Sequence, residues 1–223
     1  MAQNTIKALL FDLDGTLVDT SADIASALNA AIVQAQGETL DIKQSLALVG
    51  HGLANALKKG LDQQNIVTDD SEFEKLLTTL VQTYRANPVA NSRPYEGIQQ
   101  LLEQAHKAGL ALGLLSNKED ELVQLISNHF FAHIPFLMVR GSSPAWPKKP
   151  DKQSPLEFAR RAGCQAKHVV LIGDSDVDYK TAQSAGMQCA LVSWGFRSKA
   201  QLKATGCPAV YDSVEELTKG VCG

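Results

Sequence analysis

Short apolar runs and stretches of helical period take turns along most of the chain. Residues 6–11, interrupted only by Lys7, read as a buried strand, as do 110–115, 136–139, 169–172 and 189–192. Between them the apolar positions change to helical spacing: Ile98, Leu101, Leu102 and Ala105 before Gly109, then Leu122, Leu125 and Ile126. Leu156, Phe158 and Ala159 run up to Gly163, and Ala182 and Ala185 lie on a further helix. Strands alternating with helices predict an α/β fold, a doubly wound parallel sheet with right-handed crossovers.

One stretch breaks the alternation. Thr20 to Asp23 offer a helix start, and Ile24, Leu28, Ile32 and Ala35 then recur at helical spacing up to Gly37. A second pattern holds Leu53, Ala56, Leu57 and Leu61, and a third Phe73, Leu76, Leu77, Leu80, Val81 and Tyr84. No strand pattern intervenes. The expected organisation is therefore a core of residues 1–18 and 88–223, interrupted by an all-helical insertion over 19–87, with 87–94 as the return linker.

In doubly wound sheets, ligands bind beyond the carboxyl ends of the strands. Each polar cluster of interest follows an apolar run. Asp12 and Asp14 follow 6–11, Ser116-Asn117-Lys118 follow 110–115, and Lys148-Lys149-Pro150 lie in the loop after 136–139. Asp174, Asp176 and Asp178 follow 169–172. Four strand ends thus converge on one crevice.

Composition narrows the partners. Hydrophobic residues at 44% and charged residues at 20% are ordinary globular values, and the net charge of −3 carries no basic footprint for nucleic acid. No stretch is long enough for a membrane span. Residues 1–5 lack a basic region leading into an apolar run, so the expected compartment is the cytoplasm. The four cysteines have no close pair, Cys189 reads as a small core residue, and the histidines show no zinc-ligand spacing.

The chemistry centres on Asp12-Leu13-Asp14-Gly15-Thr16-Leu17-Val18-Asp19. In a strand Asp12 and Asp14 share a face, and like charges that close need a cation or a shared proton. A turn accounts for Asp14-Gly15 but not for Asp12. The pattern suits a metal-assisted nucleophilic carboxylate with an acid/base partner two residues on. It resembles the first signature of the haloacid dehalogenase-like hydrolase superfamily, in its phosphatase branch. Three further motifs stand in the right order, so the resemblance covers nearly the whole chain.

The resemblance implies a Rossmann-like core with a helical cap, Mg2+ as cofactor, and a small phosphate ester as substrate. Asp12 would become an aspartyl phosphate while Asp14 acts as acid and then base. Asp12, Asp174 and the backbone carbonyl of Asp14 would ligate the metal. Ser116 matches the second motif and would donate to a phosphoryl oxygen, with Asn117 supporting the nucleophile or substrate through its backbone or amide. Lys149 fits the third motif best, with Lys148 and Lys118 as competitors read as solvated; Lys152 stands where the family often has a second proline. Asp178 matches the last acid of the fourth motif, beside the metal or paired with the lysine. Members that cleave other bonds lack an aspartate at the place of Asp14, which points to phosphate-ester hydrolysis or phosphoryl transfer.

The loop Leu48-Val49-Gly50-His51-Gly52-Leu53 resembles the cap loop of phosphoglycolate phosphatases, which would bring His51 and Gly52 to the substrate; a plain glycine-rich connector is the other reading. Leu53 falls roughly where beta-phosphoglucomutase has an arginine, which weighs against a sugar phosphomutase. A phosphomutase or pyrophosphatase on the same core remains the alternative. A phosphorylated receiver-like signalling domain shares the acids, hydroxyl and lysine but has no helical insertion after its first strand. Monomer and homodimer both stay open.

Overall fold

The computed structural model describes residues 6–222. Two compact units emerge, one of Thr20–Arg93 and the other of the chain before and after it.

The second unit is built on a parallel six-stranded sheet, which makes the fold α/β. Its strands are β1 (Ala8–Phe11), β4 (Ala111–Glu119), β5 (Met138–Ser142), β6 (Val169–Gly173), β7 (Gln188–Val192) and β8 (Val210–Tyr211). Their order is β5-β4-β1-β6-β7-β8. β1 is central, with Phe11 opposite Leu114 on one side and Ile172 on the other. That position explains its unbroken apolar run, since every residue of Ala8–Phe11 is buried. Two short strands, β2 (Val18–Asp19) and β3 (Arg93–Pro94), form a separate ribbon.

Helices α5 (Ile98–Lys107), α6 (Asp120–Phe131), α7 (Gln153–Arg161) and α8 (Asp176–Ala185) connect the strands, followed by α9 (Lys199–Ala204) and α10 (Val214–Cys222). The helical stripes meet the sheet as their spacing predicts: Ile98, Leu101, Leu102 and Ala105 are buried on α5. Leu125 on α6 and Leu156 on α7 are exceptions, 46% and 39% exposed.

The helical unit holds α1 (Ser21–Gln34), α2 (Ile42–Leu48), α3 (Leu53–Gln63) and α4 (Asp70–Ala86). Its buried stripe includes Ile24, Leu28, Ile32, Leu57, Leu61, Leu80 and Tyr84. α2 carries no pattern strong enough to predict, because only Ser45 and Leu48 are buried along its seven residues. A capping box starts it: Asp41 accepts from the Gln44 N–H, and Gln44 returns the bond to the Asp41 N–H. The Asp23 carboxylate accepts from the backbone and side chains of Asn91 and Ser92, tying α1 to the end of the unit. Among the described residues no helix is long and apolar enough to cross a membrane.

Candidate active site

The carboxyl ends of β1, β4 and β6 stand side by side, and the loop after β5 reaches the same place. Asp12 follows directly on β1, held by its own N–H to the Ile172 carbonyl at 2.8 Å. Its Oδ1 accepts from Leu13 N–H at 2.7 Å and meets Lys149 Nζ at 2.9 Å. Oδ2 has no hydrogen bond among the described residues and is open to an electrophile or a cation.

Lys149 is the lysine that reaches Asp12 and Asp178. It is buried, and its Nζ also donates to Asp178 Oδ1 at 2.7 Å, whereas Lys148 is exposed. Asn117 grips the lysine's backbone through hydrogen bonds in both directions. Lys118, read from the sequence as solvated, is instead buried, and its Nζ donates to Asp14 Oδ1 at 2.6 Å. The polar run after an apolar strand gave no hint of this, because the partner lies far away in sequence.

Asp178 sits in the first turn of α8, and Ser175 caps that helix by donating to its Oδ2 at 2.6 Å. With Lys149 on the other oxygen, both carboxylate oxygens of Asp178 are hydrogen-bonded. Gly173 makes room for it, since a Cβ there would lie 2.1 Å from Asp178 Cγ. Asp176 faces outward and pairs with Lys180.

Asp174 accepts from Phe196 N–H at Oδ2, at 2.6 Å, and its Oδ1 has no hydrogen bond among the described residues. Gly15, at φ +78°, closes over it: a Cβ on Gly15 would sit 2.4 Å from Asp174 Oδ2. The loop after β7 also braces the first motif, with Trp194 Nε1 donating to the Thr16 carbonyl at 3.1 Å. Sequence reasoning missed Trp194 and Phe196, although they follow an apolar run just as the other clusters do.

Ser116 is buried at the same strand end, and its Oγ accepts from Lys118 N–H at 3.3 Å. His51 and Gly52 belong to the helical unit, in the turn between α2 and α3; His51 is exposed and Gly52, at φ +91°, is the residue just before α3.

Carboxylate oxygens of Asp12, Asp174 and Asp178 lie within 4.8 Å of one another, all three acids buried. Burial, with Asp178 and Asp12 adding to it, pushes the Asp174 carboxyl up to about 8. Asp12 rises to about 7 through burial, despite the opposing pull of Lys149. Lys149 is held more basic than usual, because the two acids outweigh the cost of burying it. Three acids with one lysine between two of them leave negative charge in excess, and Asp12 and Asp174 each keep an oxygen open. These oxygens are hard donors, suited to a magnesium-sized cation.

A family model described as haloacid dehalogenase-like hydrolase matches residues 9–192. A phosphoglycolate phosphatase of Mesorhizobium japonicum is 29% identical over 197 residues, covering 86% of this chain and 84% of its own. One of Agrobacterium fabrum is 31% identical, covering 84% and 80%. A crystal structure from Lactobacillus delbrueckii subsp. bulgaricus, described as a candidate phosphoglycolate phosphatase, superposes with a TM-score of 0.93 at 27% identity and covers 98% of this chain and 99% of that one.

Proposed function

The chain belongs to the haloacid dehalogenase-like hydrolases, in their phosphoglycolate phosphatase-like branch, and we propose that it hydrolyses a small phosphate ester through a phosphorylated Asp12. The observation that carries this reading is the buried cluster at the end of β1: Asp12 beside Lys149, with Asp174 and Asp178 within 4.8 Å. Phosphoglycolate is the first candidate substrate, because the named relatives are phosphoglycolate phosphatases.

Asp12, Asp174 and the backbone carbonyl of Asp14 would hold Mg2+. When bound, the ion offsets the charge that otherwise keeps an anionic carboxylate from an anionic phosphate. Asp12 attacks phosphorus, and the ester P–O bond breaks as the carboxylate–phosphorus bond forms. Asp14 gives its proton to the departing oxygen. Ser116 donates to a phosphoryl oxygen, and Lys149 balances the charge on Asp12 and the transferring group. Asp14 then takes a proton from the water whose oxygen attacks phosphorus, freeing phosphate and restoring Asp12. Asn117 and Asp178 work through Lys149, one on its backbone and one on its ammonium group.

The helical unit, read as a cap, chooses which substrate and which nucleophile enter. His51 and Gly52 are assigned to substrate binding on the resemblance of their loop. A phosphate-release screen over small phosphorylated metabolites, with and without Mg2+, tests the reading. Release should need Mg2+ and vanish in Asp12→Asn, whose amide cannot attack phosphorus; hydrolysis retained in that variant would exclude Asp12 as the nucleophile.

A further inference from the structure

Two buried lysines divide the acids between them, and only one has been given a task. Lys149 serves Asp12 and Asp178. Lys118 reaches Asp14 at 2.6 Å, with its side chain 2% exposed and that of Asp14 12%. The backbone is arranged for this. Ser116 and Lys118 are alternate residues of β4, so both can face the site. Past Leu115 the pairing of β4 with β5 changes register before resuming at Glu119 and Ser142, so the stretch carrying both residues departs from the regular ladder.

Stability is a poor reason for such a pair. Taking an ammonium and a carboxylate out of water costs several kcal/mol, which their attraction often only offsets, and an apolar pair of similar size serves as well. The pair also stands at the acid read above as the proton donor to the leaving oxygen. We propose that Lys118 is a positioning residue for Asp14: its ammonium group, 2.6 Å from Oδ1 in a buried pair, fixes the carboxyl where the leaving oxygen departs. In that step the electron pair of the broken P–O bond stays on the leaving oxygen, which takes the Asp14 proton as Asp12 becomes bonded to phosphorus. The proposal rests on Asp14 being the general acid, as in the reading above.

A leaving group that departs readily as an anion needs little help from an acid, whereas a poor one depends on it. The test therefore compares p-nitrophenyl phosphate with phenyl phosphate in the full chain with Mg2+. Lys118→Met should lower kcat/KM, which reports the steps up to P–O cleavage and not the hydrolysis of the intermediate both esters share, by about 100-fold on phenyl phosphate, the lower range for removing acid catalysis, and change it far less on p-nitrophenyl phosphate. Lys118→Arg should recover part of the lost rate on phenyl phosphate. Lys118→Gln, neutral but still a donor, should show the same selective loss and replaces the methionine variant if that fails to fold.

Asp14→Asn is the control. If it discriminates between the esters while the Lys118 variants lose both equally, or lose neither, the role of Lys118 is refuted and that of Asp14 survives. If Asp14→Asn does not discriminate, Asp14 is not the acid and both ideas fall.

Discussion

Asn117 holds the backbone of Lys149 from both sides: its Oδ1 accepts from the Lys149 N–H at 2.7 Å, and its Nδ2 donates to the Lys149 carbonyl at 3.1 Å. The amide side chain is thus committed to the loop after β5, and its effect on chemistry runs through the lysine. With the backbone fixed, Nζ reaches Asp12 at 2.9 Å and Asp178 at 2.7 Å.

Asn117→Ala should therefore act on catalysis more than on substrate affinity. Two buried backbone groups of Lys149 lose their partner, which costs about 2 kcal/mol of stability, and the lysine loses its fixed place beside Asp12. Steady-state kinetics should show a clear drop in kcat with KM little changed, and thermal melts a lower midpoint. A folded variant with wild-type kcat would contradict the positioning role.

Removing the metal should make stability depend on pH in a definite direction. Asp12 and Asp174 are pushed up to about 7 and about 8 from an ordinary 3.8, chiefly by burial. The folded chain then holds protons that the unfolded chain has released. Their stabilising contribution is complete below about pH 4 and declines as pH rises through about 7 and 8. In chelator, the melting midpoint should fall between about pH 5.5 and about pH 8.5, and Mg2+ should raise it most at the alkaline end. Asp174→Asn should soften the alkaline decline and weaken the response to Mg2+. A midpoint unaffected by Mg2+ at alkaline pH would count against the metal site.

Asp23 carries the opposite sign. Burial works against its charged form, but hydrogen bonds from Ser92 and Asn91 outweigh it and hold the carboxyl below its ordinary value. Its contribution is present above about pH 4, its unfolded range, and is lost as pH falls through the lower folded value. Asp23→Ala leaves the Asn91 and Ser92 donors unmatched and should destabilise the chain by about 3 kcal/mol. Denaturant unfolding near neutral pH measures it, and the gap between variant and wild type should narrow in acid.

The sequence made the strand ends legible because a central parallel strand is apolar on both faces, so Asp12 and Asp174 stand out where the apolar runs stop. Lys118 was not legible. Its burial depends on Asp14, 104 residues away in sequence, and a lysine after a strand has no local mark of its partner. α2 escaped because its seven residues bury too little to show a period, although Asp41 and Gln44 had the capping spacing. The third motif already favoured Lys149 over Lys148, but its contacts with Asp12 and Asp178 were not legible, since neighbouring lysines in a loop differ only in where the backbone turns them. Trp194 and Phe196 differ in kind: the strand-end rule reached them and had only to be applied to β7.

The most direct measurement is to quench the enzyme during turnover of a 32P-labelled phosphate ester with Mg2+, reduce the acyl phosphate with borohydride, and map the modified residue by mass spectrometry. The label should be bound to protein before reduction, and the reduced site should be Asp12, with neither signal in Asp12→Asn. Sustained turnover with no label bound at any quench time, or modification at another residue, would contradict the account.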